Sequence, residues 1–396
     1  MKRKHKGRKI YKTKEKNYYG KSPFGKFMSA VLTVLLIGGI GFIGYSVAEP
    51  IINYTQHKGD KPEVEPTAAD TTAYADKETE PATKPESVQS TGTHPDEIVV
   101  GAALKTSDLQ NSESLQSAIS ALPADTNISY IEIPLKSSDG FLWYGSSVYD
   151  AQTVGAVHGS MSLDEIVSVV ESNGYKAAAV ISTFEDSCFP AAYYDAGYVT
   201  YADGSQWIDN EADAGGKPWM SPYSQKALDY LSEITAEISA AGFDRIICSG
   251  LVFPPFRQSD LDLLGERYGR SDRCMALTSA ANLMYDKAMS NGASMQVEIS
   301  AADILGGRGD VLQPMLLSAT SVILRVDIDE LGNSAAQYDF SGSPGDIALK
   351  CITLTADKLS DFNVSVRLTG SSLTAAQVGD AREKIAEYGY DSFIFG

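Results

Sequence analysis

Eight short apolar runs alternate with longer amphipathic stretches between residues 97 and 396, and this alternation constrains the fold of the 396-residue chain more than any other feature. The runs have the length and composition of buried strands. They are Ile98–Leu104, Ile128–Leu135, Lys176–Thr183, Arg245–Phe253, Ser294–Ile299, Val322–Asp327, Val364–Leu368 and Ser392–Phe395. Strands that alternate with helices form parallel sheets, because each helix returns the chain to the start of the next strand.

The stretches between the runs carry apolar residues at helical spacing. The predicted helices include Leu109–Ala121, Ser162–Asn173, Ser224–Ala241, Ser259–Met289, Asp346–Leu359 and Thr374–Tyr388. Eight strands of this kind, closed on themselves, form a (β/α)8 barrel of the TIM type, which typically takes about 250 residues. An open, doubly wound sheet is the alternative. No GxGxxG motif follows the first run, which disfavours a dinucleotide-binding sheet.

The first 48 residues divide into a basic tail and an apolar segment. Residues 1–26 contain eleven Lys or Arg and one acidic residue, Glu15. Residues 27–48 carry no charge, and a helix of about 20 apolar residues crosses the bilayer core. Because basic flanks stay in the cytoplasm, we predict a single-pass anchor at 27–48 and a cytoplasmic tail at 1–26. A cleaved signal peptide ending at Ser46-Val47-Ala48 is the alternative, although its apolar region would normally be shorter.

Residues 49–96 form a segment rich in Pro, Thr and Glu with almost no large apolar side chains, which predicts a disordered stalk. The barrel at 97–396 is then expected outside the cytoplasm, in the cell envelope. The basic tail is explained by attraction to anionic lipid beside the anchor. We therefore expect the lipid bilayer as a partner of residues 27–48, and we expect no nucleic acid partner.

Five segments match, in chain order, the motifs of a known family. They are IPLKSSDGFLWYGSSV (133–148), AAVISTFED (178–186), a Trp…Trp-x-x-Pro-Tyr segment (203–231), GFDRIICSGLVFPP (242–255) and SAADILGG (300–307). With these motifs the chain resembles the glycoside hydrolase (β/α)8-barrel domains of bacterial cell-envelope proteins, which are distantly alpha-amylase-like. The resemblance implies a barrel that acts on or binds a cell-envelope polysaccharide.

The departures from the family pattern lie where its chemistry is expected. The family's strand-four Asp, the expected catalytic carboxylate, falls on Ser249, and its Tyr and Arg fall on Gly250 and Val252. Its strand-two Asp falls on Pro134 and its strand-three Arg on Val180. We therefore expect impaired or lost catalysis, and whether the chain is an enzyme stays open.

Glycoside hydrolysis ordinarily needs two carboxylates about 5–9.5 Å apart. In a barrel they lie at the carboxyl ends of strands. The candidate catalytic residues are Asp186 after the third run, Glu298 in the fifth and Asp303 after it. Further carboxylates at strand ends are Glu185, Asp327, Asp329 and Glu330. The structural alternative is that Asp186 caps the turn that follows it and that Asp303 caps a short helix.

The candidate substrate-binding residues are Lys136, Trp143, Trp207, Trp219 and Tyr223. The four aromatic residues lie on predicted loops, where their rings can stack on sugar rings. Lys136 is a position at which the chain keeps the family's residue. The alternative is that the aromatic side chains pack the loops onto the barrel.

Two arginines, Arg325 and Arg367, fall within predicted strands. A charge inside a barrel needs a partner. We therefore expect them to pair with Glu132 or Glu298.

The sequence offers no pattern for a metal or a cofactor, and we expect neither. His158 is the one histidine in the barrel region, so a histidine metal site is disfavoured. The four cysteines share no CxxC spacing and can form up to two disulfides outside the cytoplasm. Cys248 lies in a predicted strand, where a buried free thiol is expected.

Two functions stay open at this level. One is a membrane-tethered, degenerate glycoside hydrolase barrel that acts on or binds an envelope polysaccharide. The other is a non-catalytic scaffold that presents the barrel to protein partners.

Overall fold

The computed structural model describes residues 98–396, except 124–126, 266–267, 269–271, 308–311 and 336. The predicted tail, anchor and stalk at 1–26, 27–48 and 49–96 lie outside the described residues. Within the described part of the chain, no helix combines the length and the apolar character needed to cross a membrane.

Eight parallel strands close into a barrel in chain order. They are β1 (Val100–Ala103), β2 (Tyr130–Lys136), β3 (Lys176–Ser182), β4 (Arg245–Ser249), β5 (Ser294–Ser300), β6 (Ser321–Asp327), β7 (Asn363–Thr369) and β8 (Phe393–Phe395). In β1, Gly101 lies opposite Tyr130 of β2 on one side and Ile394 of β8 on the other. The sheet therefore has no open edge at β1. The predicted (β/α)8 barrel is confirmed, and the doubly wound alternative is wrong.

The connections between strands contain the helices. Among the described residues they are α1 (Ser112–Ser120), α2 (Tyr149–Thr153), α3 (Leu163–Ser172), α4 (Cys188–Ala192), α5 (Gln225–Ala240), α6 (Gln258–Leu264), α7 (Arg273–Ser290), α8 (Ala301–Gly306), α9 (Ile328–Ser334), α10 (Pro344–Leu359) and α11 (Ala375–Glu387). Every predicted helix overlaps one or two of these. The β3–β4 connection is long and carries α4 and α5.

Two predicted elements differ from the structure. The predicted helix Ser259–Met289 is two helices, α6 and α7, because Gly265 follows α6 with a φ of +80° that an α-helix cannot contain. The predicted strand Arg245–Phe253 ends at Ser249. Leu251 and Phe253 are 3% and 7% exposed in the loop that follows, so apolar loop residues extended the strand pattern.

The main hydrophobic core lies between the outer face of the barrel and the helices, where Ile131, Ile133 and Leu135 of β2 are fully buried. A second, smaller cluster is formed by Val99, Tyr130, Ala178, Ile247, Ile323 and Ile394. Side chains of successive strand residues point to opposite faces, which places this second cluster inside the barrel. All four cysteines are free thiols, and Cys248 is fully buried as predicted.

The loop between β2 and α2 is fixed to helix α5 by one carboxylate. Glu237 of α5 accepts hydrogen bonds from the Tyr144 hydroxyl at 2.8 Å and the Ser146 hydroxyl at 2.6 Å. It also accepts from the N–H and the hydroxyl of Ser147, both at 2.6 Å. These bonds define the position of a loop that begins at the mouth of the barrel, above the carboxyl end of β2.

Replacing this carboxylate tests how much the loop depends on it. Glu237→Ala leaves four donors without their acceptor, and hydrogen bonds to charged groups contribute about 1.5–3 kcal/mol each when buried. Since Glu237 is partly exposed, we expect the free energy of unfolding to fall by about 2–4 kcal/mol in denaturant titrations. Glu233→Ala, on the exposed face one turn earlier, is the control and should change it by less than about 0.5 kcal/mol. Equal losses in both variants would contradict the assignment.

Candidate functional site

Four charged side chains inside the barrel form what we call the barrel ion cluster: Glu132 of β2, Glu298 of β5, Arg325 of β6 and Arg367 of β7. Arg367 donates from Nη2 to Glu132 Oε2 and from Nη1 to Glu298 Oε2. Arg325 Nε lies 3.6 Å from Glu298 Oε1. The predicted pairing of both arginines with Glu132 or Glu298 is confirmed. Each of the two carboxylates is therefore already bound to a guanidinium group.

Arg325 continues the cluster toward the mouth. Its Nη1 and Nη2 donate to the two carboxylate oxygens of Glu330, each at 3.0 Å. Asp327 Oδ2 lies 3.5 Å from Arg325 Nη1 and accepts a hydrogen bond from Thr369 Oγ1 at 2.9 Å. Asp327 Oδ1 accepts from the backbone N–H of Asp329 and of Glu330, so it also caps α9. The acids that follow β6 are thus engaged in pairing and capping.

Strands β3 and β4 end in hydroxyl side chains. The Ser249 hydroxyl donates to the carbonyl of Ile181 at 3.4 Å, and the Ser182 hydroxyl donates to the carbonyl of Glu185 at 3.1 Å. Neither β3 nor β4 contains a carboxylate. The mouth therefore lacks an acid on the strand where the family resemblance places one.

Glu185 is the carboxylate that lies over the end of β4. A Cβ added to Gly250 would stand 3.3 Å from Glu185 Oε2, so the two residues are neighbours across the mouth. In the described part of the chain, no group hydrogen-bonds to this carboxylate. Burial raises the pKa of Glu185, nearby Arg325 opposes the shift, and Glu298 adds to it. A carboxyl group with a raised pKa holds its proton more tightly than an ordinary glutamate, which is the direction that a general acid needs.

Asp186, one residue further on, is buried in an ion pair. Its Oδ2 lies 2.7 Å from Lys136 Nζ, and the side chains of both residues are fully shielded from solvent. Lys136 also donates to the carbonyl of Ser182 at 2.9 Å, and Asp186 Oδ1 accepts from the N–H of Phe189 at 2.9 Å. Asp186 thus caps the turn after β3, which confirms the structural alternative considered for it. Gly140 packs against its carboxylate, where a Cβ would overlap the oxygens.

A cavity of about 160 Å³ lies beside the mouth, and we call it the rim pocket. Three loop segments line it: 138–139 after β2, 185–187 after β3, and 209 with 217–219 before α5. The Trp219 indole N–H donates to Asp209 Oδ2 at 2.9 Å, and the Lys217 N–H donates to Asp209 Oδ1 at 2.7 Å. Lys217 Nζ lies 3.2 Å from Asp139 Oδ1. The pocket thus combines an aromatic ring with convergent polar groups, as small-molecule sites commonly do.

The structure brings some of the predicted residues together and separates others. Asp186 and Trp219 both line the rim pocket, and Lys136 is buried directly behind Asp186. Glu298 lies inside the barrel, in the ion cluster. Asp303 lies in the first turn of α8, whose N-cap is Ser300.

The other three aromatic candidates lie outside the rim pocket. Trp207 is 5% exposed and packs against Tyr198 and Phe256, so its ring has no face free for a ligand. Tyr223 donates from its hydroxyl to Asp272 Oδ1 at 3.1 Å. Trp143 is half-buried, with its ring edge-on to that of His158. For Trp207 in particular, the contacts match the packing alternative.

Three charged lining residues have no place among the sequence candidates: Asp139, Asp209 and Lys217. Asp209 and Lys217 belong to the acid-rich segment before Trp219 (DNEADAGGKPW). The density of charged residues beside a tryptophan is the sequence signal that points to these two residues. The sequence identifies Glu185 only as a further carboxylate at a strand end, and it favours the neighbouring Asp186 as the candidate catalytic residue. No three His, Cys, Asp or Glu side chains among the described residues are grouped to bind a metal ion.

Comparison with known proteins gives one family match. The family model described as "Putative glycosyl hydrolase domain" matches residues 103–320, more than half of the chain. This range contains all five motifs on which the family resemblance rests, and it confirms that resemblance. No curated protein matches the chain.

Several solved structures are similar to this chain. The glycoside hydrolase domain of PgaB (BpsB) from Bordetella bronchiseptica is 14% identical, with a TM-score of 0.53, and the match covers 76% of this chain and 94% of that one. A chitobiase from Flavobacterium johnsoniae is 14% identical at a TM-score of 0.45, over 68% and 37% of the two chains. An exo-β-N-acetylglucosaminidase from Vibrio harveyi is 11% identical at 0.44, over 69% and 41%. At these identities the likeness concerns the fold alone.

The contact between Gly140 and Asp186 can be tested with matched glycines. Gly140 has a φ of +93°, and Gly140→Ala places a methyl group onto the Asp186 carboxylate. Because this disturbs the buried pair of Asp186 with Lys136, we expect the free energy of unfolding to fall by about 3–5 kcal/mol. Gly155→Ala is the control, since it has a φ of +72° but no atom within 4 Å of the added Cβ. In Gly155→Ala the free energy of unfolding should fall by about 1–2 kcal/mol. Thermal and denaturant unfolding measure both, and equal losses would show that Asp186 does not constrain Gly140.

Proposed function

Since this chain belongs to the glycosyl hydrolase domain family whose model matches residues 103–320, we propose that it is a membrane-tethered, extracytoplasmic barrel that binds a cell-envelope polysaccharide and has lost most or all of its hydrolytic activity. The polysaccharide lies in the rim pocket and across the adjoining mouth. Residues 27–48 anchor the chain, residues 1–26 stay in the cytoplasm, and the segment 49–96 spaces the barrel from the bilayer.

One observation carries the loss of hydrolysis: β4 ends in Ser249, with no carboxylate on the strand. A glycosidase needs a second carboxylate beside its acid, either as nucleophile or as base. Glu185 has the raised pKa of an acid, but Glu132 and Glu298 are bound to Arg367. The absence of a carboxylate on β4, opposite Glu185, therefore supports a loss of hydrolysis.

The rim pocket supports the binding role. A tryptophan presents a flat apolar face to a sugar ring, while its fixed polar neighbours can accept or donate hydrogen bonds to sugar hydroxyls. Lining carboxylates are Asp139, Glu185, Asp186 and Asp209, against one lining cation, Lys217. Even with Lys136 behind Asp186, negative charge is in excess. A neutral glycan, or one carrying amino groups, is therefore favoured over an anionic polymer.

The location outside the cytoplasm follows from the N-terminal sequence. A basic tail followed by 22 uncharged residues is the pattern of a helix inserted with its N-terminus in the cytoplasm. The Pro-, Thr- and Glu-rich composition of residues 49–96 supports a spacer between the anchor and the barrel. Envelope polysaccharides are then within its reach.

A scaffold for protein partners is the second candidate function. Tyr201 and Leu263 are 87% and 56% exposed and lie side by side, since the Tyr201 N–H donates to the Leu263 carbonyl at 2.9 Å. Exposed apolar side chains of this kind occur at protein interfaces. A barrel that binds proteins but no envelope glycan would favour this candidate.

Glycan binding is tested with full-length protein in lipid nanodiscs. We expect binding to peptidoglycan fragments or neutral envelope glycans, and we expect Trp219→Ala to weaken it about tenfold, or about 1.4 kcal/mol, through loss of the stacking face. Tyr149→Ala, which removes a 75% exposed aromatic ring outside the rim pocket, should leave the affinity unchanged. Calorimetry or tryptophan fluorescence gives the constants. If the wild-type protein binds no envelope glycan, the proposal fails.

Restoring the missing acid tests the catalytic half of the proposal. We expect no measurable release of reducing ends by the wild-type protein, because no free carboxylate faces Glu185 from β4. Ser249→Asp supplies one at the strand end beside Gly250 and should raise the hydrolysis rate above that of the wild type. Ser249→Asn has the same size without the charge and should stay inactive. Turnover by the wild-type protein that persists in Ser249→Asn would contradict a loss of function at this strand.

A further inference from the structure

At the centre of the barrel, one oxygen of the Glu132 carboxyl group has no hydrogen-bond partner among the described residues. Glu132 is 1% exposed, and its Oε2 accepts from Arg367. Its Oε1 is buried with no hydrogen-bond partner in the described part of the chain. Gly101 of β1 lies beside this oxygen, since a Cβ added there would stand 3.7 Å from Oε1 and 2.9 Å from Ile394 Cδ1. Oε1 therefore faces an apolar wall rather than a donor.

The cation that pairs with Glu132 is shared with a second carboxylate. Arg367 of β7 bonds to Glu132 and to Glu298 of β5, so two carboxylates share one guanidinium. Arg325 of β6 pairs with Glu298 and Glu330. Arg245 of β4 also acts on Glu132 from the other end of the strands, where it lies over the Tyr130 ring and within 3.4 Å of Gln296 Oε1.

The residues of β1, β3 and β8 beside Glu132 carry no charge. The neighbours of Glu132 in register are Ala103 on β1 and Ala178 on β3, and Ile394 lies on β8. A buried carboxylate with half of a guanidinium and one unbonded oxygen is costly, and a carboxyl group in such a site normally avoids the cost by taking up a proton.

We propose that Glu132 is a proton-binding site of the folded barrel, which holds a proton on the carboxyl group near neutral pH and releases it when the surroundings become alkaline. Release places a negative charge at the inner end of a continuous series, Glu132–Arg367–Glu298–Arg325–Glu330, whose outer end lies at the mouth. Ionised Glu132 then competes more strongly with Glu298 for the Arg367 guanidinium. The electrostatic field of Glu298 and Arg325 at Glu185 changes as a result. The site thus links the pH outside the cell to the electrostatics of the mouth.

The titration behaviour of the group agrees with the geometry. Burial raises the pKa of Glu132 from the ordinary 4.5 to about 7, with Arg367 and Arg245 opposing the shift and Glu298 adding to it. Because the folded chain binds this proton more tightly than the unfolded chain, the stabilisation is complete below the unfolded pKa near 4.5. It is lost as the pH rises toward 7 and stays absent above that.

Two measurements on the full-length protein in detergent micelles or nanodiscs test the site. In carbon-13 NMR of protein labelled at the glutamate carboxyl carbon, we expect one resonance with a midpoint near pH 7 that disappears in Glu132→Gln. In denaturant titrations from pH 5 to 8, we expect the wild-type unfolding constant to rise by up to about tenfold per pH unit below the midpoint from this group. Glu132→Gln, which mimics the protonated form, should lack that component.

Two further variants separate the site from its surroundings. Glu298→Gln removes the like charge and leaves Arg367 to Glu132, so the midpoint should move to lower pH. Glu237→Gln alters a carboxylate with four donors outside the barrel and should leave the pH dependence unchanged. The proposal is overturned if no resonance that depends on Glu132 titrates above about pH 6, or if Glu132→Gln keeps the wild-type slope. These outcomes do not depend on whether the protein binds a glycan.

Discussion

Arg367 is bound between Glu132 and Glu298 at the centre of the barrel, and the arrangement of the mouth depends on this contact. TIM barrels are usually filled by layers of branched apolar side chains. Here apolar residues such as Ile247 and Ile323 share the interior with four charges. A charge in such a place is tolerated only when it is paired, and removing Arg367 would take the guanidinium partner away from the buried Glu132. The interior carboxylates are thereby held in place by guanidinium groups.

This use of the interior explains why the mouth is poor in free acids. Glu298 lies on the strand next to β4 but is bound to two arginines, and Asp327 and Glu330 are bound to Arg325. Asp186 is bound to Lys136 beneath the loop that begins at Ser137. Glu185 is the exception, and it lies beside Gly250 where a partner on β4 would be needed. The barrel thus combines buried ion pairs in its interior with a hydroxyl group, that of Ser249, at the end of β4.

The rim pocket is built differently, from loops. Asp139 comes from the β2–β3 connection, whereas Glu185 and Trp219 come from two separate loops of the long β3–β4 connection. They meet because β2 and β3 are adjacent strands whose loops emerge at the same end. Glu237 fixes the first of these loops from helix α5, and Asp209 fixes the indole of Trp219. Loops positioned by a rigid barrel are the usual place for binding residues. The shape of the rim pocket therefore depends on the loops rather than on the side chains at the strand ends.

The sequence by itself determined the eight-strand alternation, the family resemblance, the pairing of Arg325 and Arg367 with Glu132 and Glu298, and the absence of an acid at Ser249. Each of these follows from local patterns of two to five residues or from residue identity. Only the tertiary structure decided that Glu185 rather than Asp186 faces the mouth, because a shift of one residue at a strand end reverses the direction of the side chain. It also decided that Trp219 lines a pocket while Trp207 is buried, and that Asp139 and Lys217 meet across it. These contacts join residues many positions apart, and their distances are set by the closure of the barrel.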